Sequence, residues 1–234
     1  RDAGEDARIA QAIEHLENWD HHFTVDSIAA SLYSTFWEAW RPRVIAARFP
    51  EHLHSIGPRT LVATELIVKG DEHGWFPEGH EIAQEVLAAM REGLDWLSEH
   101  LGPDMESWSW GELHQLTFRH YLAPTEDQDA THLAQVANVG PYPCAGTSGT
   151  LNNASFAIGQ RYQVTGGPHF RFLVDMAKPW QALGCNSTGN SGHPGSPHYR
   201  DQIEDWLGRR YHPMYMHRED IEADLEGVTV IEPQ

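Results

Sequence analysis

The sequence predicts an α+β fold in which a helical first half is followed by antiparallel strands. Through residue 122, apolar residues recur at steps of three and four, whereas residues 123–234 contain short runs in which apolar and polar residues alternate. Helices that precede strands in this way are typical of α+β folds rather than of alternating βαβ units. We therefore divide one domain into a helical section, 1–122, and a strand-rich section, 123–234.

The helical section begins with two amphipathic helices. The first ends at the polar cluster 20–22, and the second covers 24–40, with Thr24 as its N-cap and Pro42 as its terminator. Helical spacing places the apolar side chains of each helix on one face, which we interpret as core. These side chains are Ile9, Ile13, Leu16 and Trp19 in the first helix, and Val25, Ile28, Ala29, Leu32, Phe36 and Trp40 in the second.

A further amphipathic helix is expected at 81–101, terminated by Gly102 and Pro103. Between 43 and 79, prolines and glycines indicate short elements and loops, with one buried run at 61–68. The apolar stripe of the 81–101 helix is Ile82, Val86, Met90, Leu94 and Leu97, and the short helix that follows carries Trp110, Leu113, Leu116 and His120.

The strand-rich section is expected to contain a hairpin. Apolar residues alternate over 156–164, the chain turns at 166–168, and a second alternation covers 170–174. A loop rich in Gly, Ser and Asn follows at 184–197, where backbone that passes close to other elements would explain the glycines. The remaining expected elements are polar helices at 201–207 and 219–225 and a last strand at 228–231.

Composition excludes several classes of protein. The 234 residues include 34 Asp and Glu against 16 Lys and Arg, so the formal net charge is −18. Such a chain repels nucleic acids and anionic membranes, and we expect neither as a partner. No uncharged stretch approaches the roughly 18 apolar residues of a membrane span. Since the chain begins with Arg1 and lacks an apolar signal core, we expect a processed product or a fragment.

The two cysteines, Cys144 and Cys185, lie in glycine-rich segments. Neither segment offers the base or positive neighbour that a catalytic thiol requires. A disulfide between them would close a loop of some forty residues and stabilise the fold by about 3 to 4 kcal/mol in the chain-entropy model. The alternative is a pair of buried thiols.

Sixteen histidines are many for a chain of this length and raise the question of a metal site, but no pair of them has strong ligand spacing. We favour satisfied surface or core histidines, with a histidine-coordinated site as the alternative. The phosphate-binding loop, the GxGxxG motif and the GxSxG nucleophile motif are absent from the sequence. The histidines considered are His21 with His22, His52 with His54, His114 with His120, and His193 with His198.

Several short motifs, taken together and in order, resemble the penicillin acylase family. The longest is 189–202 (GNSGHPGSPHYRDQ), and Trp206, Gly208, Tyr211 and Pro213 continue it. The others are 16–20 (LENWD), 108–114 (WSWGELH) with Phe118 and His120, 149–153 (GTLNN), and 167–171 (GPHFR) with 174–175. The resemblance covers essentially the whole chain and implies the C-terminal part of the β subunit of a four-layer αββα N-terminal-nucleophile hydrolase.

The resemblance implies an amidase that is made as a zymogen, processed from one precursor and located in the periplasm or secreted. Its nucleophile would be a Ser at the start of the β subunit, and Arg1 cannot replace it because it has no hydroxyl. We therefore expect no catalytic residue in this chain, which would require the α subunit and the preceding β segment. Calcium, where the full enzyme binds it, would take ligands outside this chain. The substrate would be a small amide. The resemblance is compatible with penicillins, cephalosporins and acyl-homoserine lactones, and a penicillin substrate would imply a role in antibiotic biosynthesis.

Within this chain the resemblance implies a scaffold role for the loop 186–199. Where the family commonly has Gly-Gln-Ser-Gly, this sequence has Asn190 between Gly189 and Ser191. Ser191, His198 and Asp201 could touch a substrate cleft, but we favour a structural role because polar loop side chains most often bond to backbone. The alternative functions are a non-catalytic binding module on the same scaffold and a histidine-coordinated metal hydrolase.

Overall fold

A computed structural model describes residues 7–52, 60–123, 132–157 and 161–233. The described residues form two compact units. The first unit runs to Gln115 and includes residues 143–147 and 161–163, and the second unit contains the other described residues. The sequence-based division at residue 122 stays a prediction. No helix among the described residues is both long and apolar enough to cross a bilayer.

The first unit is built from helices around a buried apolar core. Its longest helices, α2 and α4, pack most extensively against each other, and Gly93 of α4 lies against the backbone of α2 at Thr35 and Phe36. The helix predicted at 81–101 is confirmed as α4. The helices are α1 (Ala7–Glu17), α2 (Ile28–Arg48), α3 (Thr60–Lys69), α4 (Ile82–Leu101) and α5 (Trp110–Leu113), with single 3-10 turns at Pro50–His52 and Met105–Ser107.

The predicted bounds of α2 are wrong at both ends. The helix starts later because Ser27, not Thr24, is its N-cap: the Ser27 hydroxyl accepts a hydrogen bond of 3.2 Å from Ala30 N–H. It also continues through Pro42, although an interior proline costs a helix about 3 kcal/mol. Val44 and Ile45 are fully buried beyond it. At about 1.5 to 3 kcal/mol for each buried side chain, their packing offsets that cost.

Two further predictions in the first unit need correction. The apolar run at 61–68 is not a loop element but most of α3, and its burial is one-sided: Ala63 and Leu66 lie in the core, whereas Leu61 and Val68 are largely exposed. The short helix at Trp110 ends at Leu113. Leu116 and His120, which we placed on that helix, lie in and after a strand.

The second unit contains most of the strands. Two three-stranded sheets have the orders β2-β1-β3 and β4-β5-β6, and β4 pairs with β5 in antiparallel register, Arg171 opposite Cys185. The strands are β1 (Gln115–Phe118), β2 (Val139–Pro143), β3 (Gln163–Val164), β4 (Phe170–Leu173), β5 (Leu183–Asn186) and β6 (His212–Pro213). The helices are α6 (His132–Ala137), α7 (Ile203–Gly208) and α8 (Arg218–Ala223). Short 3-10 turns lie at Pro179–Gln181 and Pro197–Tyr199.

The predicted hairpin of 156–164 with 170–174 is wrong, because β3 and β4 belong to different sheets. The segment 166–168 is used otherwise: Gly166 forms an antiparallel bridge with Ser155, and Pro168 O accepts a hydrogen bond of 3.0 Å from the Trp206 indole. Part of the first alternation, residues 158–160, lies outside the described residues.

The last predicted strand, 228–231, is not formed. Its alternation of Val and Thr is typical of a strand, but no described strand lies beside it to accept its hydrogen bonds. Val228 and Val230 are largely exposed.

Candidate functional site

The glycine-rich loop 186–199, which carries the longest family motif, connects β5 to α7. Both of its ends are fixed by hydrogen bonds. Ser187 N–H donates to His169 O over 2.8 Å, and Gln202 N–H donates to Thr188 O over 2.8 Å. The buried Gln202 side chain also accepts a 2.8 Å hydrogen bond from Asn186 N–H. The loop therefore has one defined path between the strand and the helix.

Gly189 lies at the closest approach within this loop. A Cβ at this position would stand 2.1 Å from His198 O and 2.6 Å from Asp201 Oδ1, which are non-bonded distances that no side chain tolerates. Only glycine leaves the two halves of the loop this close. The expectation that backbone passes close to a neighbouring element here is confirmed at Gly189.

Ser191 is oriented by its own loop. Its N–H donates to His198 O over 3.0 Å, and its hydroxyl accepts a 3.1 Å hydrogen bond from His193 N–H. Ser196 similarly caps the short turn Pro197–Tyr199 by accepting from His198 N–H over 3.2 Å. These contacts fit the structural role favoured from the sequence, and whether Ser191 reaches a substrate stays a prediction.

His198 lies between two carboxylates. Its Nδ1 is 2.7 Å from Asp201 Oδ2, and its Nε2 is 2.8 Å from Glu226 Oε2. The hydrogen bond to Asp201, followed by that to Glu226, raises the pKa of the imidazole above its ordinary value of 6.5. Ionised carboxylates only accept hydrogen bonds, so both ring nitrogens donate. In its protonated form His198 therefore cross-links Asp201 and Glu226.

Three motifs of the family resemblance meet at Arg171 on β4. Its guanidinium stacks over the Trp206 ring at 4.0 Å from the centroid. One terminal nitrogen donates to Trp206 O over 2.7 Å, and the other donates to Asn152 Oδ1 over 2.7 Å. This arrangement ties β4, α7 and the segment containing Asn152 together. Sequence reasoning placed all three residues in motifs, but their mutual contact required the fold.

His114 of the first unit is a core residue. Its ring is fully buried and stacks on Trp110 with centroids 4.5 Å apart, and Nδ1 lies 2.6 Å from Cys144 O. Trp110 in turn donates to Gly146 O over 2.9 Å. The contacts satisfy a buried histidine, which is the interpretation favoured from the sequence.

The other candidate histidines whose side chains the structure describes belong to no metal-binding group. His120 belongs to the second unit and contacts Gly192 O through Nε2 at 3.3 Å. His22 lies beside Asp20, at 3.0 Å, on the surface. His54 and the side chain of His52 lie outside the described residues. In the described ranges, no group of three or more His, Cys, Asp or Glu is placed to hold a metal ion.

Each cysteine is a buried free thiol within its own unit, and whether the two form a disulfide stays a prediction. Cys144 belongs to the first unit and Cys185 to the second. The Cys185 thiol points at the carbonyl of Asn186, 3.3 Å away. Burial raises the pKa of Cys185, which is opposite to what a nucleophilic thiolate requires.

A cleft of about 530 Å³ lies between α1 and the start of α2 in the first unit. Its walls are mainly polar and carry four carboxylates, those of Glu14, Asp20, Asp26 and Glu106. His15 lies 3.2 Å from Glu106 there. The sequence analysis noted Asp20 only in the polar cluster 20–22 and in a family motif, and it missed the cleft because Glu106 comes from a distant segment.

Comparison with known proteins agrees with the motif resemblance. A family model described as penicillin amidase matches residues 2–223. The acyl-homoserine lactone acylase QuiP of Pseudomonas aeruginosa is 27% identical over 229 residues, which cover 88% of this chain and 27% of that protein. The penicillin acylase 2 proenzyme of Pseudomonas sp. strain SE83 is 27% identical over 88% of this chain and 26% of its own length.

A solved structure shows the same fold. A thermostable penicillin G acylase from Alcaligenes faecalis superposes with a TM-score of 0.54 at 17% identity, over 98% of this chain and 44% of that chain. The predicted mixed helix and strand content is therefore confirmed. This chain spans only about a quarter of the length of the curated relatives it matches.

Proposed function

The chain belongs to the penicillin amidase family, and on this premise we propose that it is the C-terminal part of the β subunit of an acylase that hydrolyses a carbon–nitrogen amide bond. The observation that carries the proposal is the family match over residues 2–223. Two relatives whose names specify different acylated amines, an acyl-homoserine lactone and a penicillin, support the general reaction.

In the proposed reaction, an N-terminal Ser on the preceding polypeptide attacks the amide carbonyl. The Ser hydroxyl gives its proton to the free α-amine, directly or through water, and backbone and Asn donors stabilise the oxyanion. The carbon–nitrogen bond breaks, the amine leaves with a proton, and water then hydrolyses the acyl-enzyme to the acid. No side chain of this chain takes part in these steps.

The contribution of this chain is the scaffold. Arg171 joins β4 to α7 through Trp206, and Gly189 sets the path of the loop between β5 and α7. His198 serves as a doubly hydrogen-bonded cross-link to Asp201 and Glu226. A rigid support of this kind holds reacting groups on neighbouring polypeptide within the small tolerance that catalysis demands.

The whole enzyme would contain the α subunit and the preceding β segment from the same precursor, with a four-layer αββα core. The proenzyme named among the relatives supports an inactive precursor, and this chain alone would then be inactive. We include in the proposal a periplasmic or secreted location and, where calcium is bound, ligands outside this chain.

The test is a substrate panel on the assembled full-length protein. We expect one or more of phenylacetyl amides, penicillins and N-acyl-homoserine lactones to release free amine and acid in equal amounts. Mass spectrometry of the quenched enzyme should show an acyl group on a Ser-headed chain. A Ser→Ala change at that terminus is the control, and it should abolish turnover.

Two alternatives predict different results in the same test. A non-catalytic module on this scaffold would have no Ser-headed partner chain and would cleave none of the panel. A histidine-coordinated hydrolase would lose activity to chelators and retain a stoichiometric transition metal after dialysis. Nothing in the described geometry favours either alternative.

A further inference from the structure

One face of the sheet β4-β5-β6 carries an apolar cluster that the described chain leaves open; we call it the outer face and define it by Phe170, Phe172, Gly184 and Met214. Phe170 and Phe172 alternate onto the same side of β4, and their rings stack with centroids 5.7 Å apart. A Cβ at Gly184 would stand 2.7 Å from Met214 Sδ and 3.2 Å from Phe170 Cε2, so both side chains lie across this glycine.

The opposite face of the same sheet is covered around Cys185, whereas Leu173 and Leu183 farther along that face are 52% and 36% exposed. Cys185 is fully buried there, and Arg171, its neighbour in the register, packs onto Trp206 of α7. The outer face has no such cover: Phe170, Phe172 and Met214 are 45%, 60% and 40% exposed. An exposed cluster of aromatic and methionine side chains on one face of a sheet is the kind of surface that packs against another layer.

The edge of the sheet is a second feature that suits contact with another polypeptide. β4 is the terminal strand in the order β4-β5-β6, and no described strand pairs with its outer side. It is a strand of four residues without Lys or Pro, and its one charged side chain, Arg171, is engaged with Trp206 and Asn152. The open side of a terminal strand is a place where another strand can add. Exposed apolar side chains continue beyond the outer face at Met176, Trp180, Tyr215 and Met216.

We propose that the preceding part of the same precursor packs on the outer face and adds a strand beside β4. This inference rests on the proposed function, which makes the chain one part of a longer polypeptide. The chain covers 27% of QuiP and 44% of the solved penicillin G acylase chain, so most of each of those polypeptides is other sequence. A second copy is a poorer occupant, since two chains of net charge −18 repel each other.

The test compares two cysteine variants in the full-length assembled protein, F172C on the outer face and V230C as the matched control. Both positions belong to the second unit and are 60% and 76% exposed here, so without a further layer they should react alike with a maleimide. Each labelling rate is divided by the rate of the same variant in urea. We expect F172C to be slowed at least about 50-fold and V230C only a few-fold.

Labelling of F172C at nearly its unfolded rate would overturn the inference. Protection that disappears on dilution, together with a dimer mass, would also overturn it, because the occupant would then be a second copy. As a second variant, F172E should weaken co-purification of the preceding polypeptide, whereas V230E should not; equal retention by both variants contradicts the proposal. Amide hydrolysis is assayed separately on the unmodified protein. If that protein is active while F172C is labelled at nearly its unfolded rate, the proposed interface is refuted and the proposed function is not.

Discussion

The two units of the chain are stabilised in different ways. In the first unit, helices bury large aromatic side chains such as Trp40, Trp108 and Trp110 almost completely. In the second unit, short strands are joined by polar anchors, such as Arg171 on Trp206, and by a glycine-rich loop, while Phe172 and Met214 remain exposed. The first unit therefore depends on a conventional aromatic core, whereas the described part of the second unit depends more on polar anchors and leaves apolar side chains exposed.

The largest loss of stability is expected from a substitution in the core of the first unit. Trp40 is fully buried, stacks near Phe36 and Phe76, and donates to Ala63 O over 3.0 Å. Trp40→Ala should lower the free energy of unfolding by about 3 to 5 kcal/mol, because it leaves a cavity and an unpaired carbonyl. Urea unfolding of the full-length protein measures this. The half-exposed Trp180 is the control, and equal losses for both variants would contradict the contrast between the units.

The second prediction tests the glycine loop of the second unit. Gly189→Ala should cost about 3 kcal/mol, at the upper end for overpacking, since the new Cβ meets the fixed carbonyl of His198. Gly192→Ala is the matched control: a Cβ there has no atom within 4 Å, and its effect should stay within about 0.5 kcal/mol. Similar thermal midpoints for the two variants would show that the loop is not held as described.

The third prediction tests the anchor between β4 and α7. Arg171→Met keeps much of the apolar contact with Trp206 but removes two hydrogen bonds of 2.7 Å. We expect a loss of about 2 kcal/mol, in the range of hydrogen bonds to charged groups. Arg218→Met removes a highly exposed ion pair with Glu222 and should change stability little. If both variants unfold at the same denaturant concentration, the anchor contributes no more than a surface pair.

The smallest effect is a pH dependence at His198. Its pKa is raised above 6.5 in the folded state, chiefly by Asp201, so protonation favours folding. The contribution is complete below the unfolded pKa and is lost as pH rises through the folded value. The stability difference between the natural protein and His198→Gln should therefore be larger at about pH 5.5 than at about pH 8.5. NMR titration of the imidazole checks the direction, and an unshifted or lowered pKa would contradict it.

The sequence predicted elements well where one strong local pattern decides the structure. The helix α4 matches its predicted range closely because a continuous apolar stripe and Gly102 specify it. The range of α2 failed because tertiary burial of Val44 and Ile45 outweighs the local effect of Pro42. The hairpin failed because alternation identifies a strand but not its partner, and β4 pairs with a later strand.

The same distinction holds for the candidate site. The motifs located the loop 186–199, and glycine content indicated a close approach, which the structure locates at Gly189. The contact of Glu226 with His198 was not predicted, because Glu226 is 28 residues away and no local spacing relates the two. The contact of Arg171 with Asn152 was missed for the same reason.

The contrast between Gly189 and Gly192 has a practical use for engineering. A library that randomises the connection between β5 and α7 would discard most of its members if codon 189 were varied, because every replacement carries at least a Cβ into the His198 carbonyl. A Cβ at position 192 has no atom within 4 Å, so we expect this position to accept larger residues. Variation of this loop should therefore begin at position 192 and leave Gly189 unchanged.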